Sequence, residues 1–254
     1  MKRHILGTVL ITLGFSGSAW AIPVLQVGAP AGTGDTGSYA DYNASLIDPT
    51  ETDTAVTSGS TIYVGGIYAK GVDHLGGKYA GGKDWSDFGF ASAFNGRGAV
   101  LLASVANGAS GNLTVNGLSA FYTSPTESYF PNNHDPVKGS ISDFLFFDIG
   151  SFAKNADCVQ NFADEGAGCA YGEVKKLTIS VTGYDWVHFD VMALETDEYT
   201  KRTKVTYGTD LEANPASKDV TWKKPPTTVP EPMTTFLLGA GLIGMGFAAR
   251  RAKS

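Results

Sequence analysis

Leu177-Thr178-Ile179-Ser180-Val181-Thr182-Gly183-Tyr184-Asp185-Trp186-Val187-His188-Phe189-Asp190-Val191 is the stretch that decides the fold class. Before Thr182, Leu177, Ile179 and Val181 alternate with Thr178 and Ser180. After Asp185, Val187, Phe189 and Val191 alternate with Trp186, His188 and Asp190. Strand side chains point alternately to opposite faces, so each half is a strand with one apolar face. Two such strands flanking the turn Thr182-Gly183-Tyr184-Asp185 predict a hairpin with one face in a core. On that reading His188 lies on the opposite face and points to solvent, with Asp190 beside it.

Outward from this pair the same grammar recurs. Short alternating or aromatic runs separated by Gly, Asn and Asp turns predict strands over Ser60–Ala69, Ala99–Ala106, Asn112–Thr123, Ile141–Phe152, Val174–Val181, Trp186–Leu194 and Lys204–Tyr207. Helical periodicity is nearly absent. The expectation is an all-β, antiparallel β-sandwich, jelly-roll-like, over residues 22–222. The Gly-rich segments Val27 to Tyr39 and Gly71 to Gly89 read as exposed, mobile loops.

The two ends carry transport signals. Lys2, Arg3 and His4 precede the apolar core Ile5 to Phe15, and Ala19-Trp20-Ala21 supplies the small-x-small pattern before Ile22. Residues 1–21 therefore read as a signal peptide, cleaved by signal peptidase between Ala21 and Ile22. An apolar core of about 11 residues is too short to span a bilayer comfortably. At the other end, Lys223-Lys224-Pro225-Pro226-Thr227-Thr228-Val229 reads as a stiff spacer over 223–229. Pro230-Glu231-Pro232 follows, then the uncharged stretch Met233 to Ala249, then Arg250-Arg251-Ala252-Lys253. Seventeen residues of helix reach roughly 25 Å, the lower edge of a single transmembrane span. Arg250, Arg251 and Lys253 stop it and hold its end in the cytoplasm. Ala240, Gly244 and Ala248 form a small-residue face that could admit a partner helix.

This tail, residues 230–254 with Val229 before it, resembles the PEP-CTERM sorting signal in tripeptide, length, Gly content and Arg pair. The resemblance implies a substrate of an exosortase, a membrane protease of Gram-negative bacteria associated with exopolysaccharide and biofilm production. It implies that Pro230, Glu231 and Pro232 are the recognition element and that the tail is removed. The protein would sit briefly in the inner membrane and then pass to the outer surface or extracellular matrix. More loosely, Ile22-Pro23-Val24-Leu25-Gln26 and Trp186-Val187-His188-Phe189-Asp190 are similar to choice-of-anchor bacterial surface proteins. No catalytic residue carries over from either likeness.

Between the ends, 14 Lys and Arg stand against 24 Asp and Glu, a net charge of −10. Nucleic acid and anionic lipid need a basic surface, so neither is an expected partner. Cys158 and Cys169 enclose a ten-residue loop and are expected to form a disulfide in an oxidising compartment, worth roughly 3 kcal/mol by chain entropy. Asp157, Asp164 and Glu165 nearby are hard donors that match poorly with thiolates in a metal site.

No Gly-x-Ser-x-Gly elbow follows the leader, and there is no His-Glu-x-x-His helix, phosphate-cradling Gly loop or Cys-x-x-Cys. The chain thus reads as non-enzymatic, with no cofactor and no assigned metal. Three weaker alternatives stay open. His188 with Asp190 could serve a metal or a proton relay. Asp73, Asp84 and Asp87 lie in an oxygen-rich loop of the kind calcium favours. Asp143, Asp148, Asp190 and Glu195 could supply the carboxylate pair of a secreted carbohydrate-active hydrolase. Trp85, Tyr122, Tyr129, Tyr184 and Trp186 could stack on sugar rings. The preferred reading is a surface or biofilm-matrix β-sandwich that binds or spaces extracellular polysaccharide.

Overall fold

The computed structural model describes residues 24–30, 55–125, 137, 142–160, 162, 170–215 and 218–225. The predicted leader, the sorting tail, Cys169 and Tyr129 lie outside them. Among the described residues no helix is long and apolar enough to cross a membrane.

In chain order the strands are β1 (Leu25–Gly28), β2 (Ala55–Thr57), β3 (Thr61–Ile67), β4 (Val72–Gly76), β5 (Ala99–Ala106), β6 (Asn112–Val115), β7 (Tyr122–Ser124), β8 (Ser142–Gly150), β9 (Asp157–Val159), β10 (Ala170–Thr182), β11 (Trp186–Lys201), β12 (Lys204–Ala213) and β13 (Val220–Lys223). They form two sheets. The smaller runs β1-β3-β10-β6, with β9 also on β10. The larger runs β2-β13-β11-β5-β8-β7, and the long β11 also pairs with β12 and β4. The β2–β13 pairing is parallel and all others are antiparallel. The expected all-β, sandwich-like fold is what the chain adopts.

The deciding stretch is nevertheless not a hairpin. β10 lies in the smaller sheet and β11 in the larger, so Gly183 and Tyr184 carry the chain from one layer to the other. Leu177 and Ile179 from β10 meet Val187, Phe189 and Val191 from β11 in the one core between the sheets. Alternation reports that a strand has a buried face; it does not report whether the next strand lies beside it or across from it. Gly183 makes the corner at φ 83°.

A second apolar cluster covers the outer face of the larger sheet. Val100 and Leu102 of β5, Phe144 and Phe146 of β8, and Met192 and Leu194 of β11 pack under Trp85, Phe90 and Phe94. Gly71 to Gly89 is therefore not a simple exposed loop: it contains β4 and a short 3-10 helix, Trp85–Phe88, whose tryptophan is fully buried. Phe94 packs edge-on against Phe146 and Phe121 at 5.0 Å between centroids. A glycine count underestimates a segment that plants one large aromatic in a core.

Candidate functional site

Because both faces of the larger sheet are covered, β11 is buried continuously from Val187 to Leu194. His188 and Asp190, expected to face solvent, are both 0% exposed. They project from the outer face, beside the aromatic cluster. On one flank His188 pairs with Thr221 of β13. Asp219 is the residue just before β13, and continuing that register sets it beside Asp190. On the other flank His188 pairs with Ser104 of β5.

These positions bring one imidazole and two carboxylates together. His188 Nε2 stands 3.3 Å from Asp190 Oδ2 and 3.6 Å from Asp219 Oδ2. One donor atom from each of the three residues falls within a 4.8 Å grouping, and all three residues are buried. The remaining polar atoms are held from behind. His188 Nδ1 shares a 2.9 Å hydrogen bond with Thr221 Oγ1. The Asn214 amide donates to Asp190 Oδ1 at 2.9 Å and to the Lys218 carbonyl at 3.1 Å. Asn214 Oδ1 accepts from the Val191 amide at 2.7 Å, which locks Asn214 against β11. Thus Oδ2 of Asp190 and Nε2 of His188 are turned toward each other by groups outside the cluster, the arrangement that orients metal-binding side chains. Sequence reasoning paired His188 with Asp190 but missed Asp219, Thr221 and Asn214. The run Val220-Thr221-Trp222, inside the expected sandwich but with no strand predicted over it, is the available signal for β13.

The other sequence candidates are dispersed. Asp84 and Asp87 cap the short 3-10 helix: the Asp84 carboxylate accepts from the Trp85 amide and the Asp87 carboxylate accepts from the Asp84 amide. Asp73 accepts from the Glu198 amide at 2.9 Å, which holds its carboxyl below the usual carboxylate range. Asp148 Oδ1 accepts from the Gly98 and Gly150 amides. Asp143 accepts from the Gly108 amide and borders a cavity of about 300 Å³ with Tyr184, Thr123 and Ser124. Asp143 and Asp148, like Asp190 and Glu195, are five residues apart on one strand, roughly 16 Å by strand rise. Glu195 instead faces Asp210 of β12, and burial together with Glu212, Asp197 and Asp210 pushes its carboxyl up to about 7. Of the aromatics, Trp85 and Tyr184 are buried and Tyr122 is half-buried against Phe94. Among the described residues the exposed large rings are Tyr171 and Tyr199.

A family model described as the PEP-CTERM protein-sorting motif matches residues 228–252. No curated protein and no solved structure matches the chain. The looser likeness to choice-of-anchor proteins gains no support from these comparisons. The motif implies export, transient anchoring in a membrane and processing by an exosortase before surface display.

Proposed function

We propose that this chain, which carries the PEP-CTERM protein-sorting motif, is a surface or matrix protein of a Gram-negative bacterium whose β-sandwich acts without catalysis, binding or spacing extracellular polymer. The observation that carries it is the motif at residues 228–252. The acidic, Gly-rich composition of residues 22–229 supports an exterior setting, and Lys2 to Ala21 supports entry by a cleaved leader. An oxidising destination suits a Cys158–Cys169 disulfide. Its support is the antiparallel pairing of β9 with β10, in which Cys158 sits opposite Tyr171, two residues from Cys169. For polymer, the cavity beside Asp143 and Tyr184 offers a carboxylate next to an aromatic ring.

A hydrolase is the second reading, favoured by one observation. Glu195, its carboxyl raised to about 7, stands directly across β11 and β12 from Asp210. A proton-holding carboxyl near a second carboxylate is what glycoside hydrolysis needs. Incubating the purified protein with extracellular polysaccharides separates the two. Binding without reducing-end release is expected. Release that disappears in Glu195→Gln would overturn the non-catalytic reading.

A further inference from the structure

The geometry points to a divalent transition-metal site, of the zinc class, held by His188 Nε2, Asp190 Oδ2 and Asp219 Oδ2. Distance decides between a metal site and a simple ion triad. An imidazolium bridging two carboxylates would make charge-assisted hydrogen bonds of about 2.7–2.9 Å. The approaches here are 3.3 and 3.6 Å. Ligand atoms about 2.0–2.2 Å from a tetrahedral ion stand roughly 3.3–3.6 Å from one another; both separations from His188 Nε2 match such an edge, and the donor set as a whole lies within 4.8 Å. The chemistry of the donors agrees. An imidazole nitrogen suits zinc and its neighbours, whereas calcium and magnesium prefer oxygen alone.

Three further features support the assignment. The donors come from β11 and the start of β13, adjacent strands of one sheet, so their spacing is set by backbone pairing and not by a loop. Asn214 and Thr221 orient two of the three donors from the rear, as outer partners of metal ligands do. Ser104, directly opposite His188 on β5 and therefore on the same face, is 0% exposed, and among the described residues its hydroxyl has no hydrogen-bond partner. A buried hydroxyl left so is costly, and a metal-bound water at the fourth position would satisfy it. The proposal does not depend on the sorting motif or on polymer binding.

The test uses the untagged full chain in detergent, stripped with chelator and titrated separately with Zn²⁺ and Ca²⁺. One equivalent of Zn²⁺ should bind and raise Tm. In ¹⁵N-histidine spectra the His188 Nε2 resonance should move far more than Nδ1, a readout that requires no substitution. Asp219→Asn should abolish the saturable equivalent, and Thr221→Val should weaken it about 10- to 100-fold. A Co²⁺-loaded protein should show visible d–d bands that are absent from Asp219→Asn. The proposal is overturned if Zn²⁺ fails to saturate at one equivalent, if Ca²⁺ binds in its place, or if Asp219→Asn binds as the parent does. An unmoved Nε2 resonance at full loading overturns it equally, and does so even if every variant misfolds.

Discussion

Glu195 is half-buried on β11, facing Asp210, with Asp197 on the same strand and Glu212 two residues further along β12. Desolvation first, and then the neighbouring Glu212, Asp197 and Asp210, raise its carboxyl from the ordinary 4.5 to about 7. A raised carboxyl pKa means the folded state holds its proton more tightly than the unfolded chain. The resulting stabilisation is complete below about 4.5 and disappears as pH climbs through about 7. Glu195→Gln keeps the shape and removes the ionisation. Wild type and variant should therefore have similar Tm near pH 4.5, while the variant should melt higher at pH 8. Thermal unfolding followed across that range checks this. Equal Tm values at pH 8 would show that solvent already screens the site. Glu212, raised by burial and by Asp210, leaves some slope in both proteins. The sequence offers Glu195 only as one of four candidate carboxylates and does not show its raised pKa, because its environment is built by a hairpin partner whose register is invisible until β12 is seen to run to Ala213.

At the scale of elements, the strands were more legible than their partners. Ala99–Ala106 is read off the sequence with its observed ends, and β3, β8, β10 and β11 are each found within a few residues or extended. The run read as one strand over Asn112–Thr123 is broken instead, because Asn116 and Gly117 adopt φ 51° and 77° and turn the chain. An Asn-Gly pair between apolar residues is a strong turn signal that outweighs β-branched neighbours. The β10–β11 corner fails for a different reason, since a lateral hairpin and a step between layers leave the same alternation in the sequence. The corner itself is tight: a Cβ on Gly183 would lie 2.8 Å from Gly111 Cα and 2.8 Å from the Ser110 carbonyl. Gly183→Ala should destabilise by about 1–3 kcal/mol from positive φ and backbone crowding together. Chemical denaturation gives the number, and a loss below about 0.5 kcal/mol would mean that the two layers separate there at little cost. Trp85 offers the complementary probe of the outer layer. It is wholly buried and packs edge-on to Phe90 at 5.0 Å. Trp85→Ala should cost about 3–5 kcal/mol, with loss of near-ultraviolet ellipticity and retention of the far-ultraviolet β signal.

At the scale of the whole molecule, the reading separates into an address and a cargo. The address was legible because it is written in local chemistry: a Pro-Glu-Pro tripeptide, 17 uncharged residues and a basic stop need no tertiary context. The buried His188–Asp190–Asp219 cluster was not, because it depends on which segments roof the outer face of a sheet. Period-two alternation predicts a solvent-facing His188, and aromatic residues distant in sequence make that face an interior one. The address makes the sharper prediction. Pro230 and Pro232 flank Glu231, and from sequence alone prolines so placed disfavour helix and are expected to favour the extended form in which a protease takes a substrate. Glu231→Ala preserves both prolines and the uncharged stretch while removing the only charge of the tripeptide. In cells, the variant should accumulate as a membrane-retained form ending at Ser254, with the wild type released without its tail. Intact-mass measurement of the membrane and released fractions reads both termini at once, and also tests for the two-hydrogen mass deficit that the proposed Cys158–Cys169 disulfide would give. If Glu231→Ala is released as efficiently as the parent, the tripeptide is not being read, even though the family model matches it. If instead both forms remain in the membrane intact, the segment Met233 to Ala249 is an ordinary anchor and not a transient one.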